Sequence, residues 1–206
     1  MKNKKGTVFV VSGPSGTGKG TIMERYFEKY PEDNTFLSVS ATTRKPRPID
    51  KEGVTYYFKT KEEFENLIKN DGLLEWAQFC DNYYGTPKAP IEEMISEGKN
   101  IILEIEVQGG KQVMEKLPDA VGVFVLPPSF KELKDRLVNR NTETEETIQK
   151  RLNRAAEEIN EINFYDYILI NDNLEEAVDT FRSIMIGENQ KVLRNKKIIE
   201  EVCEIC

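Results

Sequence analysis

The sequence predicts an α/β fold: a parallel sheet flanked by helices, with a small mixed α/β subdomain set into it. Three observations carry that prediction. Short, largely apolar runs such as VFVV, IILEIE and VGVFVL alternate with longer segments of helical periodicity, as expected of strands buried on both faces. The first of these runs leads straight into a glycine-rich loop, in FVVSGPSGTGKGT, and a helix follows. Between Val54 and Phe79, strand-like segments crowd together more closely than in the rest of the chain.

In chain order, Val8 to Val11 reads as a buried strand, followed by the glycine loop and a helix from about Thr21 to Tyr30. FLSVS is a second strand and leads into ATTRKPRPIDKEG, where Pro46 and Pro48 forbid a regular element. VTYYF is strand-like by its β-branched and aromatic content. Thr60 opens a helix, with Glu63 completing a capping-box signature. LLEWAQF reads as a strand, NYYGTP as a turn, and Pro87 to Glu97 as a helix stopped by Gly98. IILEIE is a strand, and a helix from about Gly109 to Leu117 ends at Pro118. VGVFVL is another strand, and Ser129 with Glu132 caps a further helix. Ile148, Leu152, Ala155, Ile159 and Ile162 fall on one face of a helix from Thr144 to about Ile162. YILIN is the last strand, and Leu174 onward reads as helix to the end.

At 206 residues, with 38% hydrophobic and 32% charged residues, the chain fits one full globular domain with room for a smaller inserted element. No apolar run approaches the roughly eighteen residues of a membrane span, and the apolar run in MKNKKGTVFVVSG is too short for a signal peptide core. A cytoplasmic protein is the expectation. The net charge of −7 argues against a nucleic-acid binder but not against a small anion held by a few arginines. Cys80, Cys203 and Cys206 make an odd count, which suits a reducing compartment. The terminal CEIC has metal or redox spacing, yet the chain has no histidine, and a solvated helical tail is the better reading.

The loop carries the first chemistry. Gly13, Pro14, Ser15, Gly16, Thr17, Gly18, Lys19, Gly20 and Thr21 contain the spacing Gly13-x4-Gly18-Lys19 of a phosphate loop. Glycines let backbone N–H groups approach a phosphate, the helix N-terminus adds partial positive charge, and Lys19 reaches the outer phosphates. Gly20 stands where that pattern has serine or threonine, so a direct hydroxyl ligand for magnesium is missing there. Further on, Arg44 and Arg47 share a proline-stiffened loop, where they either grip a phosphate or are simply solvated. Glu75 sits within LLEWAQF, sharing a face with Leu73, Ala77 and Phe79 under strict alternation. A carboxylate in such surroundings needs a partner. That partner is a structural cation or a ligand with two adjacent N–H donors, as guanine has.

GPSGTGKGT, SATTRKPR, the first tyrosine of TYYF, EWAQF-x-x-NYYGTP, ILEIEVQG, RNTETEETIQKRL and YILIND, in that order, resemble the guanylate kinase family, from about Gly6 to Ile186. The resemblance implies a phosphate-loop nucleoside monophosphate kinase that uses ATP and Mg2+ to phosphorylate GMP to GDP, with dGMP left open as a second acceptor. It implies one domain over 1–206: a core of 1–40 and 88–206 that binds ATP, a lid at about 137–160, and a GMP-binding subdomain at 41–87. Carried over residue by residue, Arg44, Arg47, Tyr56 and Tyr84 hold the GMP phosphate, and Ser40, Glu75 and Thr86 face the guanine. Glu104 and Glu106 match a pair that is often aspartate in the family. Glu104 is expected to approach magnesium through water and Glu106 the guanosine. Arg136, Arg140 and Arg151 match the lid and helix arginines that close over the transferring group, and Asn171 matches an adenine contact. With Lys19 and Arg44, these three arginines form the expected catalytic set. PRPIDKEG departs from the glycine-acid pairing common in the family after the second loop arginine. Two rivals remain at this point: a guanylate-kinase-like scaffold that binds peptides without catalysis, and a kinase acting on AMP, UMP or CMP. Oligomeric state is not legible.

Overall fold

A computed structural model describes residues 5–79, 81–139 and 144–203, without the side chains of residues 79 and 197. Among them the chain forms two sheets. The larger is parallel and five-stranded, in the order β2-β7-β1-β8-β9, built by β1 (Val8–Ser12), β2 (Thr35–Leu37), β7 (Asn100–Glu104), β8 (Val121–Leu126) and β9 (Tyr167–Ile170). The smaller has the order β4-β3-β6-β5, built by β3 (Ala41–Thr42), β4 (Tyr57–Phe58), β5 (Leu73–Phe79) and β6 (Asn82–Pro87). The β3–β4 pair is parallel, and β6 runs antiparallel to both β3 and β5. The helices are α1 (Lys19–Lys29), α2 (Lys61–Lys69), α3 (Lys88–Ser96), α4 (Val107–Lys116), α5 (Phe130–Val138), α6 (Glu145–Asn160), α7 (Leu174–Asn189) and α8 (Lys196–Cys203). The α/β class and the mixed second sheet agree with the sequence.

Alternation along β1 explains why the large sheet is covered on both faces. Phe9 and Val11 pack with Ile22, Tyr26 and Phe181 from α1 and α7, while Val8 and Val10 pack with Ile91 and Val113 from α3 and α4. A separate small core of Ala41, Phe64 and Leu73 holds α2 against the second sheet. A third, of Leu133, Leu137, Leu152 and Ala155, ties α5 to α6. Because β1, β7, β8 and β9 are parallel, the loops after them gather at one edge, where open α/β sheets place their ligands.

Several elements differ from the sequence reading. The first helix starts at Lys19 rather than Thr21, since Gly18 at φ 88 already turns the chain into it. FLSVS is a strand only through Leu37, after which the chain leaves the parallel sheet for the second one. VTYYF is a turn followed by the two-residue β4. NYYGTP is the strand β6, not a turn; the sharp bend is at Asp81, φ 63, one residue before it. The chain after Leu174 is not one helix. It breaks after Asn189, where the Asn195 amide caps the carbonyls of Asn189 and Lys191, and α8 follows a short 3-10 turn at Val192–Arg194.

Candidate active site

The glycine loop joins β1 to α1. Gly13 (φ 144) lies so close to β8 that a Cβ there would stand 2.3 Å from the Val125 carbonyl oxygen. At Gly18 (φ 88) a Cβ would meet the Asn171 amide at 2.3 Å. Both positions therefore demand glycine for space as well as conformation. The Lys19 ammonium folds back over the loop, donating to the carbonyls of Gly13 (2.5 Å) and Pro14 (3.1 Å). The Thr17 hydroxyl donates to the Pro14 carbonyl. Ser15 and Thr21 are exposed, Gly16 and Gly20 half-buried.

Around the loop stand residues from distant parts of the chain. Asn171, 7% exposed at the end of β9, donates its amide to the Thr17 carbonyl at 2.8 Å and so braces the loop from behind. Arg136 on α5 donates to the Asn171 carbonyl at 3.0 Å and pairs with Glu132. Arg151 on α6 donates to the Ser15 hydroxyl at 3.0 Å. Lys19, Arg136, Arg151 and Asn171 thus stand together around the loop. Arg140 lies outside the described residues.

Glu104 ends β7 half-buried, with burial pushing its carboxyl above the usual range and the Lys19 charge pulling it back. A Cβ at Gly20 would be 3.6 Å from Glu104 Oε1, so the site of the missing loop hydroxyl faces this carboxylate directly. Glu106, two residues on, is exposed at the start of α4 and bonds Arg154 rather than capping the helix.

The second sheet carries the remaining residues that the sequence singled out. Its β5 carries a bulge between Leu73 and Glu75: Leu73 pairs with Pro87 but Glu75 with Thr86. Strict alternation is therefore broken, and Glu75 does not share a face with Leu73. Leu73 enters the small core, Leu74 the main core, and Glu75 turns with Thr86 and Tyr84 to the opposite face. Glu75 is 7% exposed; its Oε1 accepts from the Thr86 hydroxyl at 2.7 Å, and Oε2 lies close to Gly109 of α4. Among the described residues no ion pair holds it. Burial pushes its carboxyl above the glutamate range, the Thr86 hydrogen bonds pull it partly back, and the Glu106 charge adds to the push. The Thr86 hydroxyl thus donates to Glu75. Ser40 stands half-buried beside β3.

Tyr56 and Tyr84 meet edge to face, and the Arg44 guanidinium lies 5.3 Å over the Tyr56 ring. Asp50, which the sequence reading passed over, organises this corner. Its carboxylate pairs with Arg44 at 2.9 Å and accepts from the Arg47 backbone N–H at 2.6 Å. That N–H bond chiefly, with Arg44, keeps the carboxyl below the usual aspartate range. Three residues past Arg47, an acid was readable as a turn former, and the signal was in PRPID. The Arg47 side chain is exposed. Arg154 and Glu158 were also missed, having only helical spacing to mark them.

Residues 5–188 match the sequence model of the guanylate kinase family. The chain is 46% identical to a guanylate kinase of Desulfitobacterium hafniense over 202 residues, covering 98% of this chain and 100% of that one. It is 47% identical to a guanylate kinase of Bacillus cereus over 205 residues, 99% of each. The fold is similar to the crystal structure of guanylate kinase from Anaplasma phagocytophilum, with TM-score 0.73, 33% identity and coverage of 94% and 92% of the two chains. A glycine loop between the first strand and the first helix, a second, mixed sheet and likeness over almost the full length agree: this chain belongs to the guanylate kinase family.

Proposed function

We propose that the chain transfers the γ-phosphoryl group of ATP in line to the phosphate of GMP, giving ADP and GDP. The loop Gly13 to Thr21 holds the donor, and residues 41–87 present the acceptor as a movable flap. Such a transfer needs placement, charge stabilisation and exclusion of water more than covalent help from the protein. The chain has no histidine, and the acceptor phosphate is already an anionic nucleophile that needs no base.

The observation that carries the base assignment is Glu75: a buried carboxylate with a threonine for a partner and, among the described residues, no ion pair. That disfavours the structural salt bridge and fits a ligand with paired N–H donors, as on guanine N1 and N2. Thr86 orients the carboxylate, and Ser40 supplies a hydroxyl toward O6. Adenine lacks both donors, and two lost bonds to a charged group amount to roughly a hundredfold discrimination or more. Arg44, Arg47, Tyr56 and Tyr84 take the GMP phosphate, and Glu106 the guanosine. Lys19, Arg136 and Arg151, together with Arg140 outside the described residues, neutralise charge on the transferring group. Asn171 shapes the donor end by bracing the loop.

Among the described residues no cluster of three acidic, histidine or cysteine side chains could hold a metal ion alone. Glu104, beside Gly20, is the carboxylate that would approach magnesium bound with ATP. Mg2+ bound with ATP supplies neutralisation of the phosphate oxygens. A reducing, cytoplasmic setting agrees with the free, exposed Cys203.

The test is ADP formation from ATP and magnesium with GMP, AMP, UMP or CMP added singly. GMP alone should support turnover, and Glu75→Gln should lower kcat/KM for GMP about a hundredfold. Turnover with AMP but not GMP would refute the Glu75 assignment. No turnover from folded protein would favour a binding module.

A further inference from the structure

Arg154 has no place in the roles above, yet it occupies the junction between α6 and the acceptor side. Its Nη2 donates to Glu106 Oε2 at 2.6 Å and its Nε to Glu158 Oε1 at 2.9 Å. One turn earlier on the same helix, Arg151 reaches Ser15 in the phosphate loop. A single face of α6 thus touches the donor loop with one arginine and the acceptor-side carboxylate with the other. Glu106 is the residue before α4, where a side chain ordinarily caps the helix, but it makes no cap bond and turns to Arg154 instead. The Arg154 pair engages Oε2, so Oε1 remains for another donor.

We propose that Arg154 is a positioning residue for the acceptor nucleotide, holding Glu106 by one oxygen so that the other meets the guanosine of GMP. The proposal rests on the assignment of Glu106 to GMP. Physically, Arg154 does two things. It fixes the rotamer of an otherwise exposed, flexible glutamate, which removes that ordering cost from GMP binding. It also offsets the carboxylates of Glu106 and Glu158, whose charges would otherwise face a dianionic ligand. Two bonds in fixed directions to two carboxylates suit a guanidinium fork and do not suit the point charge of lysine.

The test compares steady-state kinetics of Arg154→Met, Arg154→Lys, Glu106→Gln and the Arg154→Met/Glu106→Gln pair, with melting temperatures measured alongside. Arg154→Met should raise KM for GMP roughly tenfold while KM for ATP and kcat move less than about threefold, and Arg154→Lys should recover part of the loss. In the Glu106→Gln background, Arg154→Met should add almost nothing, since both act through one contact. If Glu106→Gln raises KM for GMP but Arg154→Met does not, or if the two effects multiply, the positioning role is wrong. Equal rises in both KM values with a lowered melting temperature would make Arg154 a structural residue of α6 and overturn the proposal. An unchanged KM for GMP in Glu106→Gln would remove Glu106 from the GMP site, and this inference with it.

Discussion

At the scale of single residues, Glu75 shows function and stability pulling in opposite directions. A carboxylate at 7% exposure, bonded to the hydroxyl and backbone of Thr86, is held above its ordinary pKa chiefly by burial. A group whose folded-state pKa is raised destabilises the fold when ionised, and that penalty disappears as pH falls through the folded value toward the ordinary glutamate range. Glu75→Gln keeps an acceptor for Thr86 and removes the charge. The variant should therefore melt higher than the parent at pH 8, with the difference vanishing near pH 4, although it has lost GMP activity. Paired thermal melts across that range check this; a variant that melts lower at pH 8 would mean that Glu75 has a cationic partner after all. The same residue separates what sequence could and could not reveal. Its burial was legible from the apolar residues around it, but its direction was not, because a bulge between Leu73 and Glu75 defeats a count by twos. Nothing in LLEWAQF marks the bulge, which is a property of how β5 meets β6.

At the scale of elements, the interface between β5 and α4 decides how well Glu75 is placed. Gly109 lies in the first turn of α4, and a Cβ there would stand 2.9 Å from Glu75 Oε2. The carboxylate cannot yield freely, since Thr86 holds its other oxygen at 2.7 Å. Gly109→Ala should thus raise KM for GMP about tenfold or more, because small displacements at a recognition group are costly. Its melting temperature should hold or rise, since alanine favours a helix over glycine by roughly 0.5–1 kcal/mol. Kinetics with ATP varied at saturating GMP should show little change. Elements whose signals are local, such as the Thr60–Glu63 capping box and the Ser129 cap, were readable in the sequence and occur as expected. The elements that were misread depend on contacts that their own residue types do not announce. NYYGTP has turn-forming residues, yet pairing with both β3 and β5 makes it a strand. The loop at Asp50 is pinned by Arg44 and the Arg47 backbone; the acid in PRPID marks a turn but not the pairing with Arg44.

At the scale of the whole molecule, the two edges of the parallel sheet have different work. The carboxyl edge collects the loop, Glu104 and Asn171, while the opposite edge opens into a cleft of about 810 Å3 under the C-terminal segment, lined by Val8, Val121, Leu193 and Ile198 among others. The segment is fastened to that edge before α8 begins. Glu188, 1% exposed, is paired with Lys191 and Arg194, and Arg194 also donates to the Asp119 carbonyl at 2.9 Å. By contrast, Ile198, Ile199 and Val202 of α8 are 39%, 44% and 60% exposed, so the helix adds little buried apolar area to the core. Ending the chain after Asn195 keeps the Glu188 cluster and the Asn195 cap, and removes a helix that, among the described residues, takes no part in the hydrogen bonds and ion pairs around the phosphate loop or Glu75. The shortened protein should retain kcat and both KM values within about twofold, with a melting temperature lowered by no more than about 3 °C, the shift expected for roughly 1 kcal/mol in a domain of this size. Calorimetry beside the coupled ADP assay would settle it. A larger loss of stability would show that α8 is held down by more than its exposure suggests, and a selective loss of turnover would tie the two edges of the sheet together.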